Sequence, residues 1–117
     1  MLSLVYASPS VSRRKLLWPY LRSLAASVHC PWVLMGDFNA TIASSERKGG
    51  VGSVRASRDF QDFIFNSCLR DMWFKGPEFT WSRGSTFARL DRFLCNIHWD
   101  EYFPDSLVSH VFPYGPG

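Results

Sequence analysis

The chain has 117 residues, 46% of them apolar and 20% charged, which fits one globular domain and excludes a disordered chain. No apolar stretch approaches the roughly 20 residues that a membrane span needs, and the first residues carry no secretory signal, so we expect no membrane association and an intracellular protein. The net charge is +3, and ten of the 13 cations are arginines. This charge is compatible with two interpretations, a polyanionic partner or an ordinary basic surface without such a partner.

The first part of the chain alternates between strand and helix patterns. The apolar run Leu2–Tyr6 predicts a strand, and apolar residues at helical spacing up to Val28 indicate a helix after it. Pro19 is expected to kink or restart this helix, because proline donates no hydrogen bond and clashes one turn back. A continuous apolar run over residues 32–35, closed by Gly36, predicts a buried central strand.

The second part of the chain predicts a helix and a hairpin. Ser57 is a suitable N-cap for a helix that begins at Arg58 and whose apolar stripe extends to Cys68. A hairpin is predicted over residues 78–94, with its turn at 83–86. Strands and helices alternate and mix, so the fold class is α/β or α+β. The remaining expected elements are strands at 72–74 and 107–111 and a helical turn at 99–103.

Two polar residues stand where the buried central strand ends. Asp37 and Asn39 are two positions apart, so on an extended chain they point to the same side. They would then face the crevice in which α/β sheets bind ligands. A carboxylate suits Mg²⁺, and an amide can donate to a phosphate. An Asx-type turn that closes the strand explains the same two residues equally well.

Asp91 is a second candidate, in a strand pattern flanked by arginines. Alternation places it on the same face as Arg89, with Arg92 on the other face. A plain cross-strand ion pair explains an acid in this position without any chemistry. Tyr6 precedes a Ser-Pro turn and has no distinguishing pattern of its own.

Residues 32–40, Trp-Val-Leu-Met-Gly-Asp-Phe-Asn-Ala, resemble the Gly-Asp-Phe-Asn segment of the endonuclease/exonuclease/phosphatase superfamily. Further segments follow in order over nearly all of the chain and are similar to the endonuclease domain of plant LINE-type retrotransposons. These segments are Glu46-Arg-Lys-Gly-Gly50, Phe60-x-x-Phe63, Leu69-x-Asp71, Gly76-Pro-x-Phe-Thr-Trp-Ser82, Arg89-Leu-Asp-Arg-Phe-Leu94 and residues 99–104.

The resemblance implies Mg²⁺-dependent hydrolysis of DNA phosphodiesters. By position in the matching segments, Asp37 would position or activate the attacking water, Asn39 would bind the phosphate, and Asp91 would orient a catalytic histidine. Tyr6 matches a tyrosine that contacts the scissile phosphate, and Thr80 matches a residue that lines the site. The implied catalytic set is therefore Asp37, Asn39 and Asp91, and the implied substrate-binding set is Tyr6, Asn39 and Thr80.

The family fold is a four-layer α/β sandwich, and residues 1–117 resemble its C-terminal half. The family's metal-binding glutamate would precede Met1, and its Ser-Asp-His motif would follow the last residues. We therefore expect a remnant with little hydrolysis of its own, in which Asp37 is at most a weak metal ligand. The expected partners are DNA and the other segments of the same domain, in the nucleus if the protein is functional. The alternative is a non-catalytic remnant that binds nucleic acid through arginine and aromatic side chains.

Overall fold

The computed structural model describes residues 1–49, 57–72, 74–75, 78–106 and 108–109. Helices and short strands alternate along the chain. In chain order they are β1 (Leu2–Tyr6), α1 (Val11–Ser27), β2 (Val33–Asp37), a 3-10 turn (Ser44–Glu46), β3 (Arg47–Lys48), α2 (Arg58–Asn66), β4 (Arg70–Asp71), β5 (Phe74–Lys75), β6 (Trp81–Arg83), β7 (Thr86–Ala88), β8 (Asp91–Cys95), α3 (Ile97–Tyr102) and β9 (Val108–Ser109).

The largest sheet has four strands in the order β1-β2-β8-β4. β1 runs parallel to β2, because the chain crosses over through α1, whereas β8 is antiparallel to both β2 and β4. Strands β3, β7 and β6 form a second sheet, and β5 pairs with β9. The fold class is α/β with a mixed sheet, in agreement with the alternation in the sequence.

One face of the four-stranded sheet packs against α1 and α2. Leu34 and Leu94 point from the sheet into a core that contains Trp18, Phe60 and Phe63. The ring of Trp18 lies 5.1 Å from that of Phe60 and 5.4 Å from that of Phe63, between centroids. Such ring pairs stabilise a core beyond the area they bury.

Among the described residues, the packing on the other face of the sheet is concentrated at one end. There Val33 and Cys95 pack against Met72, with Trp99 of α3 beside them. On the edge strand β1, by contrast, Leu4 is 79% exposed, and the side chains two positions before and after it are also exposed. This face therefore presents apolar surface along β1 and is open toward the ends of β1 and β2. No helix in the described ranges is long and apolar enough to span a bilayer.

Three predictions from local sequence patterns can be compared with the helices of the structure. The N-cap prediction is confirmed, since the Ser57 hydroxyl accepts a hydrogen bond from the Phe60 amide at 3.2 Å and α2 begins at Arg58. The stripe prediction was wrong for Cys68, which lies beyond the helix end at φ +54° and is exposed. Helix α1 continues through Pro19 and does not restart there. Pro19 is exposed, so water can bind the carbonyl group that its ring leaves unpaired.

Other predicted elements have different bounds. The hairpin exists as β6 and β7, but the predicted second strand divides at residues 89–90, and its later half joins β2 as β8. Of the predicted strand at 72–74, Met72 lies between β4 and β5, Phe74 begins β5, and residue 73 lies outside the described residues. In the last predicted strand only residues 108–109 lie within the described part of the chain. Long-range pairing, which local patterns do not reveal, sets these bounds.

Gly36 lies inside β2 and does not close it, because the strand continues to Asp37. Its φ is +138°, and a Cβ atom there would collide with the carbonyl oxygen of Val5 on β1. Only glycine permits this backbone conformation and this close approach of the two strands.

We predict that Gly36→Ala lowers the free energy of unfolding by about 3 kcal/mol or more, since it adds backbone strain and a clash between strands. Gly84→Ala is the matched control, because Gly84 also has a positive φ (+58°) but nothing lies within 4 Å of its Cβ position. The control should lose only about 1 kcal/mol. Denaturant unfolding of both variants measures the difference, and equal losses would contradict the packing described here.

Candidate functional site

Three of the five predicted site residues form a row across the sheet, here called the polar row. The register pairs Tyr6 of β1 with Asp37 of β2, and Asp37 with Asp91 of β8. Residues paired in this way point to the same face of a sheet. The polar row lies on the open face, at the end of the sheet opposite to α3, and Tyr6 is 77% exposed there.

The two acids of the polar row are close neighbours. Phe38 and Leu90 form the next pair after Asp37 and Asp91 in this register. This pair is hydrogen-bonded, because the Phe38 backbone amide donates to the Leu90 carbonyl at 3.0 Å. The Asp37–Asp91 pair is therefore of the non-hydrogen-bonded kind, in which opposite side chains lie closest. Like charges directly opposite each other destabilise a sheet, so this pair is costly for the fold unless a positive group lies near it.

Asp37 and Asn39 form an Asx-type turn, as in the second explanation drawn from the sequence. The Asn39 amide donates to Asp37 Oδ1 at 2.8 Å, and Asn39 has a φ of +49°. The expectation that the two residues point to one side of an extended chain was therefore wrong. Asn39 nevertheless stays at the site, because its side-chain Nδ2 donates to the Ala7 carbonyl at 2.6 Å, directly after Tyr6. One of the two amide hydrogens is left for another acceptor.

Thr80 reaches the polar row through the backbone of the segment before β8. Its Oγ1 accepts from the amides of Leu90 and Asp91, at 2.9 and 3.0 Å. These bonds hold the bend at which the chain leaves β7 for β8, and they fix where Asp91 begins its strand. The Thr80 hydroxyl hydrogen is still available to donate. The structure thus brings all five predicted residues to one end of the sheet.

Four charged residues form a partly buried group behind the polar row, here called the ion cluster: Glu46, Asp71, Arg89 and Arg92. Glu46 bonds Arg92 at 2.6 Å and Arg89 at 3.2 Å, and Asp71 bonds Arg89 at 2.8 Å and Arg92 at 3.1 Å. Its two positive and two negative charges balance. The Arg92 side chain is fully buried, and its guanidinium lies 5.2 Å from the centroid of the Phe60 ring.

The ion cluster connects the segment that follows β2 with the segment that precedes β8, next to the two candidate acids. Glu46 Oε1 also accepts from the Ile42 amide at 2.7 Å, three residues after Asn39. The Glu46 carbonyl accepts from the Arg89 amide at 2.8 Å, two residues before Asp91. The sequence did not predict this cluster. Its only signal was that acids and arginines occur in the segments carrying the family resemblance.

Arg14, in the first part of α1, lies beside the site. Its Nη1 donates to the carbonyls of Ser8 and Pro9, at 3.0 and 2.8 Å. These residues directly follow Ala7, whose amide donates to the Asp37 carbonyl at 2.8 Å. The crossover from β1 into α1 therefore turns one arginine of the helix back toward the polar row.

A groove of about 920 Å³ lies elsewhere, between α1 and α2. It is lined by the basic residues Lys15 and Arg22 on one side and the acidic residues Asp59 and Asp62 on the other. This groove is in the helical layer, away from the polar row.

The chain matches the sequence profile of a family described as "Endonuclease/Exonuclease/phosphatase family" over residues 2–109. No curated protein shows significant similarity to it. The profile match covers every element from β1 to β9, and with them all five predicted site residues.

Members of that family generally use divalent metal ions. Within the described ranges, no three His, Cys, Asp or Glu side chains converge on one point. Asp37 and Asp91 are adjacent, but one Asp37 oxygen already accepts the Asn39 amide. The described residues therefore do not by themselves supply a full set of protein ligands for a divalent metal, although a carboxylate oxygen that accepts a hydrogen bond can still bind one.

The two histidines in the described ranges lie far from the acids. His29 precedes β2, and His98 follows β8 in α3, where it pairs with Glu101 at 3.7 Å. Both are thus at the Val33–Cys95 end of the sheet. Neither can be oriented by Asp91.

The charge of Glu46 depends on its arginine partners. Burial raises the pKa of Glu46, but the hydrogen bond and charge of Arg92, with further help from the Ile42 amide and Arg89, lower it by more, so that it lies below its ordinary value of 4.5. The folded protein thus favours the carboxylate more than the unfolded chain does. This contribution to stability is present above pH 4.5 and is lost as the pH falls through the lower, folded-state pKa.

We predict that Glu46→Gln lowers the free energy of unfolding at neutral pH by about 3 kcal/mol, because it leaves a buried guanidinium short of a counter-charge. The variant should also lose less stability than the wild type when the pH falls below 4.5. Denaturant unfolding over a series of acidic pH values tests both points. The exposed Glu78→Gln is the control and should match the wild type. An unchanged acid profile in Glu46→Gln would show that this carboxylate does not stabilise the fold.

Proposed function

Because the chain belongs to the endonuclease/exonuclease/phosphatase family, we propose that it recognises a nucleic-acid phosphodiester as part of a Mg²⁺-dependent DNA endonuclease of LINE retrotransposon type. Hydrolysis of the nuclease or phosphodiesterase kind is the chemistry that the family suggests. The observation that carries the proposal is the convergence of Tyr6, Asp37 and Asp91 on one open face, with Asn39 and Thr80 bonded to the same strand ends.

Each residue of the site has a role that its contacts allow. In this proposal the Tyr6 hydroxyl and the second amide hydrogen of Asn39 donate to phosphate oxygens. Asp37 accepts a hydrogen bond from the attacking water and positions it. Thr80 sets the backbone of Asp91, which would orient a histidine supplied from outside the described residues.

The open face of β1 fits the same proposal. Leu2 and Leu4 are 61% and 79% exposed on the edge strand of the sheet. Apolar residues in a row on an exposed edge strand are a liability unless another segment covers them. We assign this surface to contact with the remaining segments of the endonuclease domain.

The second candidate function is DNA binding without hydrolysis. It is favoured by the incomplete metal site and by the position of both described histidines at the other end of the sheet. The two candidates differ in one observable, which is metal-dependent strand cleavage.

We predict that the 117-residue chain binds DNA in a salt-sensitive manner but does not nick supercoiled plasmid above background in millimolar Mg²⁺. The reason is that the described residues hold neither a full set of metal ligands nor a histidine beside Asp91. Gel analysis of the plasmid measures cleavage. Nicking that a chelator stops and that Asp37→Asn abolishes would show that the chain is a complete catalyst.

We predict that Asp37→Asn strengthens the binding of duplex DNA, by about threefold to tenfold, because it removes a negative charge from the phosphate-binding face. Asp62→Asn, an exposed acid on α2, is the matched control and should change affinity far less. Equal changes in affinity in the two variants would show that the polar row is not part of the DNA-binding surface. No DNA binding by the wild type would contradict the proposed function itself.

A further inference from the structure

The position of Arg14 is the feature that the proposed roles leave unexplained. Its Nη1 makes both of its hydrogen bonds, to the carbonyls of Ser8 and Pro9. Within the described residues, its Nε and Nη2 have no hydrogen-bond partner. The side chain is thus held at one corner while the rest of its donor fork is free for a ligand.

The Arg14 guanidinium lies near Asp37 of the polar row. Burial lowers the pKa of Arg14 below its ordinary value, and the negative charge of Asp37 acts in the opposite direction. The covalent and hydrogen-bonded path between them is short: Ser8 follows Ala7, which bonds both Asp37 and Asn39. Arg14 therefore places a positive charge beside a row that otherwise carries two carboxylates.

Helix stability does not explain a cation at this place. The first turn of α1 contains no acidic residue, and Arg13, Arg14 and Lys15 follow one another near its N-terminus. Cations near a helix N-terminus are unfavourable, because that end carries the positive pole of the helix dipole.

We propose that Arg14 is a further substrate-binding residue of this site, whose free Nε and Nη2 donors bind a phosphate oxygen of the nucleic-acid backbone. This inference rests on the proposed function, because it names a contact to the same substrate. Arg14 offsets the repulsion between the phosphate and the carboxylates of Asp37 and Asp91. A planar fork already anchored by two carbonyl groups loses little freedom on binding.

The test compares Arg14→Gln with Arg13→Gln, which removes the same charge from an exposed neighbour on the same helical turn. Fluorescence anisotropy of a short labelled DNA duplex, over a series of salt concentrations, gives the affinity and its salt dependence. Arg14→Gln should weaken binding by about tenfold and reduce the slope of log K against log salt by about one. Arg13→Gln should leave both close to the wild type.

A second measurement does not depend on the variant's folding. The Arg14 Nε–Hε resonance of the wild-type chain is followed by NMR during titration with a dinucleoside monophosphate, which offers a single phosphodiester. A shift that saturates at Arg14 and not at Arg13 supports the contact. A purely structural role of Arg14 in the loop would not produce this shift. If Arg14→Gln is poorly folded, the titration of the wild type therefore decides between the two roles.

The outcomes separate the inference from the proposed function. DNA binding by the wild type, with equal effects of Arg14→Gln and Arg13→Gln and no Arg14 shift, overturns the role of Arg14 and leaves the proposed function in place. A wild-type chain that binds neither DNA nor the dinucleotide overturns both. A selective loss in Arg14→Gln together with the Arg14 shift supports both.

Discussion

The burial of one guanidinium constrains much of this structure. Arg92 is on β8 and points into the helical side of the sheet, where its side chain has no access to water. A buried charge is tolerated only with close counter-charges, and Glu46 and Asp71 supply them from two distant parts of the chain. The need for these counter-charges therefore holds the 3-10 turn and β4 against β8. Arg89 forms ion pairs with the same two acids. Phe60 covers the remaining face of the Arg92 guanidinium.

The ion cluster also determines the positions of side chains on the opposite face of the sheet. Neighbouring positions on β8 point to opposite sides, so fixing Arg92 also fixes Asp91 on the open face. Glu46 holds the loop that follows Asn39, and its carbonyl holds Arg89 just before Asp91. The paired charges of the ion cluster thus help to keep the two acids of the polar row side by side against their own repulsion. In the proposed nuclease this pre-organisation would position the attacking water and the phosphate before the substrate arrives.

Sequence reasoning succeeded where the cause is local and failed where it is distant. The first strand and the Ser57 cap follow from neighbouring residues, and both are present. The turn at Asp37 was one of two open explanations, because the left-handed conformation of Asn39 is not visible in a spacing of two residues. The ion cluster and the position of Arg14 depend on contacts between segments remote in sequence or on the path of the crossover. Tyr6 has no local signal at all and was found only through the family resemblance.

The ion cluster is what keeps Asp37 and Asp91 in register at the site end of the sheet. The most direct measurement is the nuclear Overhauser effect between the Hα atoms of these two residues, which is strong in a non-hydrogen-bonded antiparallel pair. We expect a strong effect in the wild type that weakens in Glu46→Gln, while the effect between Val33 and Cys95 at the other end stays unchanged. A wild type without the Asp37–Asp91 effect, or a Glu46→Gln variant that retains it in full, would show that the ion cluster does not hold these two strands in register.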